Sequence, residues 1–385
     1  MRCTTTRIKV RQGLFFQHLN KINRTYASQQ RAQEVVFSGI QPTGVPHLGN
    51  YFGALSQWVE MQNAPGTNRQ LLYSVVGLHA LTMPQDPKKL YEDRMNTLAS
   101  ILAVGVDPQK AILFFQEDVP QHAELAWILN CYSMMGRLKR MTTWKSKLAV
   151  KEGSQSSDII DDSGLNLGLF TYPVLQAADV LLYRTTHVPV GEDQRQHLEL
   201  ARELAQKMNR VMKNDFFPLP TTIINPAKRI LALKGSPPQK MSKSAPDPRS
   251  RILITDSAAE IHDKLRVSHT DSIDPESLPE DHIPSLDELS PNVANLYTIL
   301  SCCTGEDVST LIPRYYRRRY GYLKADVAAA VDAKIAPIRK EYERLRKPDG
   351  EMWLREVAEM GRERASAIAT QNLAQIKKHL GINTL

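Results

Sequence analysis

The 385-residue sequence contains no run of eighteen apolar residues, so no part of it reads as a membrane-spanning helix. Cysteine is scarce: Cys3, Cys131, Cys302 and Cys303 include no C-x-x-C pair and form no spaced framework. That argues against a zinc module and a disulfide scaffold, fits a reducing compartment, and leaves no metal site expected. Acidic residues are missing from one region altogether. Residues 1–33 hold seven Lys/Arg (Arg2, Arg7, Lys9, Arg11, Lys21, Arg24, Arg31) and no Asp or Glu. The net charge of +8 therefore belongs mostly to this leader, and the remainder carries 42 basic against 41 acidic residues. Global charge says little about substrate.

The leader is Arg-containing, dotted with Ser and Thr, and weakly amphipathic around Leu14, Phe15 and Leu19, the composition of a mitochondrial transit peptide. It lacks the apolar core of a secretory signal. On this reading the chain is destined for the mitochondrial matrix and is cut near Tyr26 and Ala27. A basic arm touching RNA or a membrane surface is the other reading its composition allows.

At 42% hydrophobic content, 385 residues suffice for two domains with cores of their own. From about residue 34 to 235, apolar runs (VVFSGI, QLLYSVVGLH, AILFFQ, and later LGLFTYPVLQAADVLLY and HVPVG) alternate with helix-like stretches such as YFGALSQWVEMQ and KKLYEDRMNTLASILAVG. Alternation of this kind predicts an α/β fold, a parallel sheet with helices on both faces. Ligands of such sheets sit at the carboxyl ends of strands, which makes the strand-exit loops the places to search. After about residue 250 the segments 258–268, 291–303, 323–346 and 351–381 are helix-like with few β-rich runs between them, and a helical domain is expected. Its residues 314–347 hold eleven Lys/Arg against four acids, which suits either a polyanion or an ordinary solvated face. The patch 152-EGSQSSDIIDDSG-164 reads as a polar surface loop.

Two segments carry chemistry. After VVFSGI, the loop 41-QPTGVPHLGN-50 delivers a helix N-terminus near Asn50, where unpaired N–H groups favour a phosphate. His47 and Asn50 would face one ligand there, and Gly49 would let a base or phosphate approach the backbone. The same residues also describe a plain strand-to-helix connection punctuated by Gly and Pro. The second segment, 235-GSPPQKMSKSAPDPRS-250, sets Lys240 and Lys243 with Ser242 and Ser244 among prolines. Two lysines on such a loop make a movable clamp for charge developing on phosphoryl groups, or else a solvated basic loop.

Together, H-x-G-N after the first strand and K-M-S-K-S some 190 residues later resemble the two signatures of class I aminoacyl-tRNA synthetases. Residues 35–381 are similar to the tryptophan-specific members: SGIQPTG, HLGNY, GAL, LHALT, AVGVDP, RMTTWKSK, YPVLQAAD, LLYRTTHVPVGEDQRQHLEL, KMSKS and YGYLKADV stand in the expected order. The leader and insertions are most like the fungal mitochondrial form. The resemblance implies a Rossmann-like catalytic domain over 34–250, including the KMSKS loop, and a helical anticodon-binding domain over 251–385. It implies ATP with Mg2+ as substrate, no tightly bound cofactor, L-tryptophan and tRNA(Trp) as partners, a homodimer, and no membrane attachment.

The resemblance also assigns roles. Gln41, Gly49 and Asn50 would touch ATP, with His47 donating to the α-phosphate. Gly191, Glu192 and Asp193 would lie against the ribose, and Ile230 would flank the adenine. Lys240 and Lys243, with Met241, Ser242 and Ser244 in the same loop and Lys145 and Lys147 of WKSK, would hold the pyrophosphate; His47, Lys240 and Lys243 are the catalytic set. For tryptophan, Asp179 is the only acid in a long apolar run, where burial demands a partner. An indole N–H would serve, as would a helix cap or Arg184. Tyr172, Gln176 and His79 are candidates for the pocket wall. Three departures from the family pattern are Gly77, where an aspartate is usual, the 152–164 insertion, and Gln239, where bacterial relatives often have lysine. A tyrosine-specific synthetase or another adenylyl transferase would share the fold, and an RNA-binding paralogue without activity would keep the basic helices while losing the clamp.

Overall fold

In this computed structural model the described residues are 33–65, 68–141, 144–145, 165–191, 194–224, 229–235, 237–243, 245–273, 278–279 and 282–382. The leader, Lys147, Glu192, Asp193, Ser244 and the 152–164 segment thus lie outside them.

Strands β1 (Glu34–Ile40), β2 (Arg69–Val75), β3 (Ala111–Phe115), β4 (His187–Val190) and β5 (Thr221–Ile224) form one sheet in the order β3-β2-β1-β4-β5. Every pairing is parallel. Parallel strands need crossovers, and these are helical. Between β1 and β2 runs α1, built from Leu48–Asn50, a π-helical turn Tyr51–Leu55 and Ser56–Asn63. Between β2 and β3 come the short α2 (Gly77–Ala80) and α3 (Pro87–Ala103), and after β3 α4 (Gln121–Tyr132), α5 (Met135–Lys139) and α6 (Leu167–Leu182) lead to β4. Helix α7 (Arg195–Met212) joins β4 to β5. The boundaries follow local chemistry: Asp86 caps α3 by accepting from Lys89 N at 2.7 Å with Pro87 at the first position, and Gly105 beyond its end takes φ +106°.

Side chains of the central strands alternate between two cores, as a pleat of period two requires. Val36, Leu71, Tyr73, Val75, Leu113 and Phe115 enter one core, and Phe37, Leu72, Ile112 and Phe114 the other. The apolar run LGLFTYPVLQAADVLLY, grouped with the β-rich runs in the sequence, is instead mostly α6: sixteen residues are too long for one of these short strands, and an apolar surface on nearly every side suits a buried helix equally well. The helix keeps Pro173 within it.

The rest of the chain is helical: α8 (Ala258–Arg266), α9 (Pro291–Thr304), α10 (Val308–Tyr315), α11 (Tyr320–Leu345) and α12 (Pro348–Leu380). These helices do not form a separate core. Ile252, Ile254, Leu296, Val331 and Leu354 belong to the same buried cluster as Leu71 and Leu98, so the packing is continuous across residue 250. Helix α12 then returns along the outside of the sheet and covers edge strand β3. Gly361 lies against Leu113 so closely that a Cβ would overlap its carbonyl oxygen, and Arg364 Nη1 donates to Pro108 O at 2.7 Å. That cover explains why AILFF is buried throughout although it is an edge strand. No helix among the described residues is long and apolar enough to cross a membrane.

Candidate active site at the sheet switch point

Strand order reverses between β1 and β4, the two strands that leave the sheet in opposite connective directions, and the loops following both end in the crevice where such sheets bind ligands. Gln41 is exposed at the end of β1 and Gly191 at the end of β4. His47 is the N-cap of α1. Its Nδ1 accepts from Asn50 N at 3.2 Å, and Asn50 Oδ1 accepts from His47 N at 3.2 Å, a reciprocal capping box. With Nδ1 an acceptor, the imidazole proton is assigned to Nε2, which is therefore a donor. Burial, then Lys243, Lys240 and Arg251, hold His47 down at about 4, so it is neutral near pH 7. Two expectations change in detail. Asn50 turns its oxygen to the cap rather than outward, and the room a side chain at Gly49 would need is taken by the His47 ring, 3.1 Å from that point.

The lysine segment comes to the same place. Ile230 to Met241 forms a hairpin, with an antiparallel bridge between Leu231 and Lys240 and Ala232 N donating to Gln239 O at 2.8 Å. Ile230 and Met241 are buried in the core, which fixes the base of the hairpin. Leu48 N donates to Ile252 O at 2.8 Å and Ile254 N to Pro46 O at 3.1 Å, tying the chain just beyond the hairpin to the first loop. Lys243 Nζ then donates to Thr43 O (2.9 Å), Thr43 Oγ1 (3.1 Å) and Gly44 O (2.8 Å). All three of its donors rest on the loop that carries His47. Burial lowers Lys243 to about 8, and Lys89 and Arg251 add to this against the pull of Asp93. Lys240 is exposed on the same hairpin, Ser242 is half-buried, and the described part of WKSK places Lys145 Nζ 5.7 Å from the Trp144 ring.

Asp179 is 1% exposed and held by His79, a pocket candidate, together with Gln116 and His122, which the sequence did not single out. Its Oδ1 accepts from Gln116 Nε2 at 2.7 Å and lies 2.7 Å from His122 Nδ1, while Oδ2 lies 2.8 Å from His79 Nε2. His122 Nε2 continues to Tyr183 OH at 2.8 Å. Burial alone would raise the carboxyl, but hydrogen bonds from His122 and His79 overcome it and hold it at about 2. A carboxylate has about four acceptor positions, so these three donors leave one, on Oδ2. Arg184 is elsewhere, donating to Phe216 O at 3.0 Å and stacked over that ring. Tyr172 OH meets His197 Nε2 at 3.1 Å, its ring sets an edge against His79, and Gln176 donates to Gln194 at 3.2 Å, which places all three pocket candidates along the middle of α6. Gln116 was findable as the residue leaving β3, a strand exit like the others.

At Gly77 the carboxyl of Glu117 fills the space of the missing side chain: a Cβ there would overlap both its oxygens, and Gly77 N donates to Oε2 at 3.0 Å. Gln239 serves the hairpin through its backbone carbonyl.

A doubly wound parallel sheet that holds a neutral imidazole and an ammonium 196 residues apart in sequence over its switch point has the layout of a nucleotide-dependent class I synthetase. Comparison with known proteins narrows this. Residues 29–335 match the model of the class I tRNA synthetases, W and Y, and the chain belongs to that family. It is 40% identical to the mitochondrial tryptophan–tRNA ligase of Schizosaccharomyces pombe over 355 residues, covering 90% of this chain and 95% of that one. The corresponding figures for the mitochondrial enzyme of Saccharomyces cerevisiae are 41% over 352 residues, 90% and 90%. Among solved structures, the tryptophanyl-tRNA synthetase of Campylobacter jejuni complexed with ADP and tryptophan superposes with a TM-score of 0.72 at 32% identity, covering 90% of this chain and 99% of that one.

Proposed function

We propose that the chain is a tryptophan–tRNA ligase that activates L-tryptophan with MgATP and transfers it to the 3′-terminal ribose of tRNA(Trp) in the mitochondrial matrix. The observation that carries this reading is the meeting of Lys243 with Thr43 and Gly44 beside His47, which brings an ammonium and an imidazole donor to one place at the sheet switch point. Tryptophan's carboxylate attacks the α-phosphorus in line, the bond to the β-phosphate oxygen breaks, and pyrophosphate leaves. The tRNA hydroxyl, the 2′-OH in this class, then attacks the adenylate's carbonyl and AMP leaves. Magnesium would arrive with ATP as part of that substrate, where it would spread the charge of the phosphate groups.

The chain's own groups position and polarise. His47 Nε2–H donates to the α-phosphate without delivering a proton, since an imidazole held near 4 is already neutral. Lys243 leaves the carbonyls of Thr43 and Gly44 for phosphate oxygens, and Lys240 joins it. Gln41, Gly49, Asn50, Gly191, Ile230 and Lys145 are assigned to the nucleotide, as are Glu192, Asp193, Ser244 and Lys147, which lie outside the described residues. Asp179 Oδ2 accepts the indole N–H, and Tyr172, Gln176 and His79 wall the ring. A phenylalanine would leave that acceptor unpaired, which is the stronger kind of discrimination.

Relatedness to mitochondrial enzymes and the acid-free leader support import. A homodimer is supported by exposed apolar side chains of α4, the turn to α5 and the start of α6: Trp127 at 71%, Met134 at 68%, Met135 at 59% and Leu167 at 73%. Amino-acid-dependent ATP–pyrophosphate exchange across all twenty side chains tests the function. Exchange with tryptophan alone is expected, and exchange with tyrosine instead would overturn it.

A further inference from the structure

We propose that Glu117 is a positioning residue for the amino-acid pocket, held by Arg94 and fastening α2 so that His79 stays set against Asp179. It rests on the reading of Asp179 as the indole acceptor. The 3-10 turn Gln116–Asp118 leaves β3 directly beneath the N-terminus of α2. Two successive side chains of that turn take two successive amides of the helix. Gly77 N donates to Glu117 Oε2 at 3.0 Å, and Leu78 N donates to Gln116 Oε1 at 3.1 Å. Gln116 spends its other end on Asp179, donating from Nε2 to Oδ1 at 2.7 Å, and His79, one residue beyond Leu78, reaches the opposite oxygen of the same carboxylate at 2.8 Å. The turn, α2 and Asp179 are therefore linked in one loop of hydrogen bonds.

Glu117 is itself braced. Its Oε1 is paired with Arg94 Nε from α3, and the Arg94 guanidinium lies 4.2 Å above the Phe115 ring at the end of β3. Burial pushes the Glu117 carboxyl upward, and Arg94 pulls it back toward the charged form. Room for this arrangement exists because residue 77 is glycine: a Cβ there would come within 2.5 Å of Glu117 Cδ. Glycine at this position does not serve backbone conformation, since Gly77 is not among the positive-φ glycines. Its Cβ is absent for the carboxylate. Removing that carboxylate frees α2 to turn, and His79 is carried with it, whereas among the described residues the hairpin and the His47 loop share no hydrogen bond or ion pair with Glu117.

The experiment is ATP–pyrophosphate exchange with the full chain, measuring KM for tryptophan and for ATP together with kcat, in Glu117→Ala, Glu117→Gln, Gly77→Asp and the pair Gly77→Asp/Glu117→Ala, beside Asp179→Asn. Glu117→Ala is expected to raise KM for tryptophan about tenfold, the effect of losing one charged hydrogen bond, and to leave KM for ATP within about twofold. Glu117→Gln keeps an acceptor for Gly77 N without the charge toward Arg94 and falls between. Gly77→Asp alone forces two carboxyls into one space. Combined with Glu117→Ala, it supplies the carboxylate from residue 77 and restores most of the tryptophan KM, which a merely structural role for Glu117 would not predict. Tryptophan KM unchanged in both Glu117 variants, equal rises in the tryptophan and ATP values, or a pair no better than its worse single change would each overturn the proposal. Should Asp179→Asn leave tryptophan KM unaltered, the reading of Asp179 fails instead. Impairment by Asp179→Asn with inert Glu117 variants isolates failure of the positioning role.

Discussion

The ammonium of Lys243, lowered to about 8 by burial and by Lys89 and Arg251, gives the enzyme an alkaline limit inside the measurable range. At that pKa it is about 90% charged at pH 7, half charged at pH 8 and about 10% charged at pH 9. An exposed lysine near its usual value would still be more than about 95% charged at pH 9. If the charged form is the one that engages the triphosphate, kcat/KM for MgATP in pyrophosphate exchange falls about tenfold between pH 7 and 9, because that parameter reports groups of the free enzyme. The limb in kcat lies at higher pH, since phosphate oxygens around the ammonium favour its proton. On the acid side no limb from His47 is expected above about pH 5, as burial, Lys243, Lys240 and Arg251 keep it near 4. The control is Lys243→Arg, whose guanidinium stays charged throughout and should give a lower but flat profile from pH 7 to 9. A wild-type kcat/KM that holds level to pH 9, or an arginine variant with the same falling limb, refutes the assignment of Lys243 as the titrating clamp.

His47→Asn retains an oxygen able to accept from Asn50 N but no donor in the place of Nε2–H; exchange should drop about a hundredfold while the urea midpoint shifts by less than about 0.5 kcal/mol, and full activity would show that the imidazole donor is dispensable. His47→Ala removes the cap as well and should add about 1 kcal/mol of instability in the same urea titration. Trp127→Glu places a charge on an exposed apolar side chain and, if the proposed homodimer uses it, should weaken self-association about thirtyfold or more by sedimentation equilibrium; self-association equal to that of the wild type would put any interface elsewhere.

What the sequence made legible was local. VVFSGI, QLLYSVV and AILFF announce buried strands by β-branched and aromatic content, and Gly105 marks the end of α3. The loop at 41–50 and the lysine loop could be singled out because glycine, proline, imidazole and ammonium in such density serve no ordinary turn. What stayed hidden was pairing. Asp179 announces a need for partners by sitting in an apolar run, yet its donors come from α2, from the turn after β3 and from α4, at separations of 100, 63 and 57 residues. No periodicity encodes those distances. The same holds for α12, whose pattern predicts a helix but not its return to cover β3. Gly77 shows the limit best. By itself it looks like the loss of an acid, and only the placement of Glu117, forty residues on, shows a carboxyl already occupying that volume.

The electrostatics of the site follow from the same convergence. Lys240, Lys243 and Arg251 gather around His47, and a group of like charges in partly buried surroundings is costly. The fold lessens that cost by holding the imidazole neutral and letting the Lys243 proton loosen, with backbone carbonyls of Thr43 and Gly44 as neutral acceptors. Such acceptors are weak rivals for a lysine, because a hydrogen bond to a charged oxygen is roughly twice as strong as one to a neutral carbonyl. On the proposed function, a triphosphate bound here would remove repulsion and replace poor acceptors with better ones in a single exchange. When pyrophosphate left with its charge, the carbonyls of Thr43 and Gly44 would regain the ammonium, so one set of contacts would serve both capture of the nucleotide and release of the product.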